Sequence, residues 1–158
     1  YGYEMARYFD RFDLAEVCPI EQSMLYTYLR NVEVRGLVSW SEERVGNRPP
    51  RKLFDLTQAG RDSVQAWLRQ PVARIREIRL DFLLKLYFLH RLDPAGEHRL
   101  LEEQIAVCES YLAVQSGRHE ESDFGRLVVR AKQTAAESTL GWLKAYAWEL
   151  EHPTRRTP

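Results

Sequence analysis

The sequence predicts a mainly α-helical protein with one small β-hairpin, divided into two domains. A chain of 158 residues is long enough to bury a core, and most of its apolar residues recur at the helical spacing of three and four. Only residues 38–42 and 52–56 alternate apolar and polar residues, as half-buried strands do. Pro71 ends the part that mixes both patterns, so we expect one domain over residues 1–70 and a wholly helical domain over residues 71–158.

The composition is that of an ordinary globular protein, with 44% hydrophobic and 29% charged residues. The formal net charge of +0 weighs against a broadly basic nucleic-acid-binding surface but is compatible with a local patch. Two cysteines far apart, Cys18 and Cys108, predict neither a zinc site nor a disulfide framework, and they fit a reducing cytoplasm. No apolar run approaches the roughly 18 residues that a membrane span needs.

Two helices are predicted before the hairpin, over residues 3–12 and 19–34. Pro19 suits the first turn of the second helix, where its missing N–H has no partner to lose. Leu25, Leu29 and Val32 of that helix repeat at the i, i+4, i+7 spacing and are expected in the core. Gly36 is expected just past the end of the helix.

The other side of the second helix is polar. Side chains of this kind reach base edges and phosphates in protein–DNA complexes. An ordinary amphipathic helix also has a polar side, so both interpretations stay open. The candidate DNA-contacting residues of this helix are Gln22, Ser23, Met24, Tyr26, Thr27 and Arg30.

The hairpin has a basic tip. Gly46-Asn47 is a turn signal, and Pro49-Pro50 favours an extended return strand. Four positive charges and no negative one lie between residues 44 and 52, namely Arg44, Arg48, Arg51 and Lys52. Such a loop is a candidate phosphate clamp, although a solvated hairpin tip has the same composition. Thr57 is expected to cap the following helix, with Ala59, Val64, Trp67 and Leu68 facing inward.

Five blocks in a fixed order carry a resemblance. They are Gly2-Tyr3-Glu4, Met24-Leu25-Tyr26 with Leu29, Arg35-Gly36-Leu37-Val38, Arg48-Pro49-Pro50-Arg51-Lys52 and Leu56-Thr57-Gln58-Ala59-Gly60. Their order and spacing resemble the PadR family of bacterial transcriptional regulators over about residues 1–70. The resemblance implies a winged helix-turn-helix domain, which in that family has one more helix before the Gly-Tyr-Glu block. We therefore expect further residues before Tyr1.

On this basis a DNA contact is assigned to each candidate residue. Gln22, Ser23, Met24, Thr27 and Arg30 are expected to face the major groove. Tyr26 is expected to bond a phosphate. Arg48, Arg51 and Lys52 are expected to hold the flanking backbone. The rival hypothesis is a protein-interaction module that keeps the fold without binding DNA, and the neutral net charge supports it.

The second domain is predicted to be three long helices. One covers residues 79–92, one begins at Asp93-Pro94 and runs to about residue 115, and one covers residues 124–151. Their apolar stripes cover more surface than a single copy can bury, which predicts a homodimer. The stripe residues singled out are Leu101, Ile105, Cys108, Leu112, Trp142, Ala145 and Trp148.

This half is similar to the PadR branch with a long C-terminal helical domain of the virulence-regulator type, through residues 80–88 and Trp142-Leu143. That likeness also implies dimerisation. Two recognition helices one DNA turn apart, ~34 Å, would then face a pseudo-palindromic operator.

Catalytic and cofactor motifs are not found, so we expect neither an enzyme nor a cofactor. The group His90, Asp93, Glu97 and His98 straddles a helix boundary without metal-ligand spacing. Aromatic residues of the second domain, Tyr87, Phe88, Trp142 and Trp148, are either core or the lining of a pocket for a small aromatic effector, which the resemblance implies for some members. The sequence thus predicts a DNA-binding transcriptional regulator, a homodimeric repressor.

Overall fold

The computed structural model describes residues 1–12, 14–44 and 50–152, and the chain forms two compact units. The N-terminal unit is Tyr1–Leu68 and the C-terminal unit is Arg69–Pro158. The first contains α1 (Gly2–Arg11), α2 (Leu14–Val17), α3 (Gln22–Val34), β1 (Val38–Glu43), β2 (Arg51–Leu56) and α4 (Gln58–Leu68). The second contains a 3₁₀ turn (Ile75–Glu77), a π-helical turn (Ile78–Phe82), α5 (Leu83–Leu92), α6 (Pro94–Ser116) and α7 (Asp123–Glu151). The predicted fold class, mainly α with one hairpin, is confirmed.

Helix α3 begins three residues later than predicted. Glu21 is extended (φ −68°, ψ 143°), so helical geometry starts only at Gln22. The assignment of Pro19 to the first turn of this helix was therefore wrong. Pro19 instead follows the short helix α2, which ends at Val17, and the residue before a proline is disfavoured in the α conformation.

The end of α3 is a Schellman turn, and the predicted terminal glycine is confirmed. Gly36 adopts φ +69°, the left-handed conformation that glycine tolerates best. Its N–H donates to the Glu33 carbonyl (2.8 Å), and the Leu37 N–H donates to the Val32 carbonyl (2.9 Å). These bonds turn the chain directly from α3 into β1.

Strands β1 and β2 pair antiparallel in a two-stranded sheet, with Trp40 opposite Phe54 and Glu42 opposite Lys52. Each strand extends one residue further toward the tip than predicted. The predicted turn at Gly46-Asn47, together with Pro49, lies outside the described residues.

Helix α4 starts at the hairpin base with the predicted cap. The Thr57 hydroxyl accepts the Gly60 N–H (3.0 Å) and donates to the Gly36 carbonyl (2.7 Å), which ties α4 to the end of α3. Gly60 lies so close to Leu37 that a Cβ there would overlap the Leu37 carbonyl oxygen. Of the four residues predicted to face inward, Leu68 is buried, but Ala59 and Val64 are exposed, so those two predictions were wrong.

The C-terminal unit packs around buried side chains from every one of its helices, chiefly Phe82, Leu86, Leu89, Leu100, Leu101, Cys108, Ala136 and Leu143. The predicted start of α6 is confirmed, because the Asp93 carboxylate accepts the Gly96 N–H (2.9 Å) and Pro94 takes the first position. The helix predicted to begin at Arg79 starts instead as the π-helical turn, which places Phe82 fully inside the core.

Buried polar groups pin the first segment of this unit. The Gln104 side chain accepts the Val72 N–H (2.7 Å) and donates to the Val72 carbonyl (3.0 Å). The buried Lys85 ammonium donates to the Gln70 carbonyl (2.7 Å) and pairs with Asp81 (3.0 Å). Residues 70–72 are thus held by side chains from two later helices.

Candidate nucleic-acid interface

Helix α3 presents the predicted polar face to solvent. The side chains of Gln22, Ser23, Met24, Tyr26, Thr27 and Arg30 are all exposed, whereas Leu25 and Leu29 of the same helix are buried. The amphipathic period explains this division, since the leucines lie one turn apart on the core side. The Thr27 hydroxyl donates to the Ser23 carbonyl (3.2 Å), so toward a ligand it offers only its acceptor lone pairs.

Tyr26 has a neighbour that the sequence did not reveal. Its ring covers Gly2 at the start of α1, where a Cβ would lie 2.7 Å from the ring edge. A Cβ at Gly2 would therefore have to displace the Tyr26 ring from α1. Tyr26 remains 45% exposed, so its predicted phosphate bond stays a prediction beside this packing role.

Arg51 is held by two aromatic residues at the start of α1. One of its guanidinium nitrogens donates to the Tyr3 hydroxyl (3.1 Å), and the group lies 5.4 Å and 5.9 Å from the ring centres of Tyr3 and Tyr1. The residue is half-buried. Arg51 thus ties β2 to α1, a role that its place in a basic run did not suggest.

Lys52 lies on the opposite side of the strand and is exposed. Its ammonium stands 3.8 Å from the centre of the Trp40 ring, the position in which a cation is attracted to an aromatic face. The Trp40 ring N–H donates to the Glu33 carboxylate (2.6 Å), so the ring also reaches the last turn of α3. Sequence reasoning missed this link, and its only signal was Glu33, the first acid on the polar side of α3.

The net charge of the hairpin is smaller than the basic run suggested. Glu42 and Glu43 stand opposite Lys52 and Arg51 in the strand register. Counting these two acids against the four cations of residues 42–52 leaves a net charge of +2. Arg48, the remaining predicted phosphate contact, lies outside the described residues.

A cleft of about 590 Å³ separates the start of α1, α3 and β2. Its lining is mixed, with aromatic rings beside the cations Arg30, Arg51 and Lys52 and the acid Glu33. Of the polar face of α3, Tyr26 and Arg30 line this cleft together with the hairpin cations Arg51 and Lys52. Such a surface can receive the anionic edge of a ligand.

In the C-terminal unit, two residues predicted for dimerisation are core residues. Leu101 is 1% exposed and Cys108 is 0% exposed, so neither side chain can touch a second copy. They are removed from the interface, because α6 turns this stripe toward its own unit. Burial raises the pKa of the Cys108 thiol, which keeps it neutral and apolar.

The other predicted interface residues are accessible to different degrees. Ile105 and Leu112 are half-buried, while Ala145, Trp142 (40%) and Trp148 (57%) are exposed. Trp142 stands edge-on to Phe82 and stacks on Tyr146, and Trp148 stacks on His152. Tyr87 stands edge-on to Phe88.

The group His90, Glu97 and Tyr146 is a hydrogen-bonded network. The buried Glu97 carboxylate accepts the Tyr146 hydroxyl (2.6 Å) and faces the His90 ring nitrogen (3.0 Å). Within residues 1–12, 14–44 and 50–152, no group of three or more metal-binding side chains is found. Over the same residues, no helix is long and apolar enough to cross a membrane.

Comparison with known proteins decides the family. The model of the transcriptional regulator PadR-like family matches residues 1–66, and the model described as virulence activator alpha C-term matches residues 78–151. The chain belongs to the PadR-like family. Its function is therefore transcriptional regulation, and its α1–α4 unit with the β1–β2 hairpin is the winged helix-turn-helix domain of that family.

Known PadR proteins resemble the chain over nearly its whole length. The negative transcriptional regulator PadR of Bacillus subtilis (strain 168) is 23% identical over 159 residues, covering 91% of this chain and 86% of that protein. The crystal structure of Bacillus subtilis PadR in complex with operator DNA is 21% identical, with a TM-score of 0.44, covering 94% of this chain and 90% of that one. The structure of the same protein in complex with p-coumaric acid is 21% identical, with a TM-score of 0.41 and coverages of 96% and 90%.

Proposed function

We propose that this PadR-like regulator is a repressor that binds a pseudo-palindromic operator as a homodimer in the cytoplasm. The observation that carries the proposal is the exposed polar face of α3, of which Tyr26 and Arg30 share a cleft with the hairpin cations Arg51 and Lys52. We call α3 the recognition helix and the β1–β2 hairpin the wing. A recognition helix in the major groove with a wing on the flanking backbone uses this geometry.

The recognition helix supplies the base contacts. Gln22 and Arg30 carry side chains that pair in bidentate fashion with adenine and guanine. Ser23 and Thr27 are short acceptors, and Met24, 47% exposed, is an apolar surface for a thymine methyl. None of these side chains is needed for the core, since Leu25 and Leu29 fill it.

The wing supplies backbone contacts that carry no sequence information. Lys52 is the best-placed cation, because its ammonium is exposed on the Trp40 face. Arg51 contributes less than its charge suggests, because Tyr3 and Tyr1 already bind its guanidinium. Arg48 completes the set by its place in the sequence.

The dimer surface that we propose is a stripe on α7. Val129, Ala136 and Leu143 are buried and mark the side of α7 that packs on its own unit. The exposed residues Phe124, Leu127, Ala131, Ala135, Trp142 and Ala145 recur at steps of three, four and seven on the opposite side. Small residues in the middle of the stripe allow two such helices to approach closely. A second copy would cover the stripe and give the two-fold symmetry that a palindromic site requires.

A small aromatic effector is the remaining part of the proposal. Trp142 is 40% exposed while its ring stacks on Tyr146, so a further aromatic ring can pack against this pair. One structure of Bacillus subtilis PadR contains p-coumaric acid, an aromatic acid of this class. An aromatic compound that changes the affinity for DNA would supply the regulatory signal.

Binding to the upstream region of the protein's own gene tests the proposed function. We expect a gel shift with that duplex that is stronger than with a scrambled duplex of equal length. Because phosphate contacts release counterions, both affinities should fall as salt rises from 50 to 200 mM, typical limits for such titrations. A protein that binds neither duplex at low salt would instead be the protein-interaction module.

A further inference from the structure

We propose that Glu33 and Trp40 are positioning residues that brace the wing against the recognition helix and present Lys52 to DNA. The proposal rests on the proposed DNA-binding function and concerns residues to which no DNA contact has been assigned. We call Glu33, Trp40 and Lys52 the wing brace. Its members come from the three elements that must keep a fixed arrangement on DNA, namely α3, β1 and β2.

The first link joins the recognition helix to the first strand of the wing. Trp40 donates its ring N–H to the Glu33 carboxylate at 2.6 Å, a short bond of the charge-assisted kind. The Schellman turn at Gly36 fixes the path between the two residues. Rotation of β1 relative to α3 would therefore break this bond.

The second link joins the two strands of the wing. Lys52 is the diagonal neighbour of Trp40, since Glu42 stands opposite Lys52 and Trp40 stands opposite Phe54. Diagonal neighbours on one face are within reach of long and aromatic side chains. Because Glu33 holds the edge of the ring, the ring face stays in place and the Lys52 ammonium lies over it at 3.8 Å.

The negative charge of Glu33 allows its bracing role to be distinguished from its direct effect on DNA binding. An acid at the end of a recognition helix repels DNA phosphates, so its charge alone weakens binding. A bracing role predicts the opposite effect for its hydrogen bond. The two contributions can be separated, because glutamine removes the charge and keeps the acceptor oxygen, whereas alanine removes both.

The experiment compares Glu33→Gln with Glu33→Ala on the upstream-region duplex and on a scrambled duplex. We expect Glu33→Gln to bind at least as tightly as the unaltered protein. Glu33→Ala should bind about five-fold more weakly than Glu33→Gln, the effect of losing one well-made hydrogen bond. Equal binding by the two variants would overturn the proposal.

A double-mutant cycle supplies a second readout, which also covers the case in which Glu33→Ala does not fold. Trp40→Phe keeps a ring face and removes the N–H that Glu33 accepts. In the unaltered protein, Lys52→Gln should lower the slope of log affinity against log salt by about one. In the Trp40→Phe background the same change should alter the slope much less, because the ammonium is no longer held toward the phosphates.

The outcomes separate this proposal from the function on which it rests. Failure of the unaltered protein to bind either duplex would overturn both. Binding by the unaltered protein, with a Lys52→Gln effect that is the same in both backgrounds, would overturn the brace alone. Thermal melting of each variant identifies losses that come from unfolding.

Discussion

Arg51 and Lys52 are neighbours in the sequence with different surroundings in the structure. Arg51 is half-buried and bonded to Tyr3, 48 residues away, while Lys52 is exposed and touches a ring of its own hairpin. Successive residues of a strand face opposite sides, which accounts for the difference. One basic run therefore contains a residue that bonds to α1 and a residue whose exposed ammonium we propose for a phosphate contact.

This difference predicts different results for the two alanine variants. Lys52→Ala should weaken binding to all duplexes about equally and lower the salt slope by about one, with only a small loss of stability from its exposed cation–π contact. Arg51→Ala should also lower the free energy of unfolding by about 1–2 kcal/mol, because a hydrogen bond and a cation–π contact are lost. Salt titrations of binding and thermal melts measure the two effects.

Tyr3→Phe is the matched control, since it removes the hydroxyl and leaves the Arg51 charge in place. It should lower stability with little change in the salt slope. Equal losses of stability in Lys52→Ala and Arg51→Ala would contradict the division of roles.

At the scale of elements, two glycines control how α3, the wing and α4 meet. Gly36 needs its left-handed conformation but has open space around the missing side chain. At Gly60 the constraint is space, because the Leu37 carbonyl oxygen occupies the place that a Cβ would take. One constraint is conformational and the other steric.

The steric constraint should be the more severe. Gly36→Ala should cost about 1 kcal/mol, the strain of a left-handed alanine. Gly60→Ala should cost about 3 kcal/mol or more, because backbone rather than a flexible side chain must move. Denaturant unfolding of both variants measures the order, and a smaller loss for Gly60→Ala would show that α4 can shift away from Leu37.

For the whole molecule, the exposed stripe on α7 predicts dimerisation. Leu127→Glu would place a charge in a surface that we expect to be buried between copies. The variant should sediment as a monomer and lose at least ten-fold in operator affinity, because one copy reaches only one half-site.

Lys132→Glu is the control, at an exposed position of α7 outside the stripe. It adds more negative charge than Leu127→Glu and should leave the dimer intact. Dissociation by both variants, or by neither, would place the interface elsewhere.

Local signals in the sequence predicted much of the fold. The glycine after α3, the Thr57 cap and the Asp93-Pro94 start each depend on residues within a few positions, and the structure confirms all three. The exposed face of α3 also followed from periodicity alone. The family resemblance added the order of the elements and is confirmed by the family models.

Contacts between distant residues were beyond this reasoning. Nothing in the pattern pairs Arg51 with Tyr3 or fixes Trp40 on Glu33, since both depend on how elements pack. The assignment of Leu101 and Cys108 on α6 to a dimer interface was wrong for a related reason. Periodicity identifies an apolar side, but it does not say whether that side meets its own chain or a second copy, and Leu101 and Cys108 meet their own chain.

The hydrogen bonds between Gln104 and Val72 limit where a C-terminal fragment of the chain can begin. The Gln104 side-chain amide takes the place of a neighbouring strand, because inside the core it accepts the Val72 N–H and donates to the Val72 carbonyl. A C-terminal fragment that begins after Val72 would leave that amide, and the Lys85 ammonium, buried without these acceptors and donors. Expression of the helical half alone therefore has to begin no later than Gln70, with the segment that sequence inspection would most readily discard as linker.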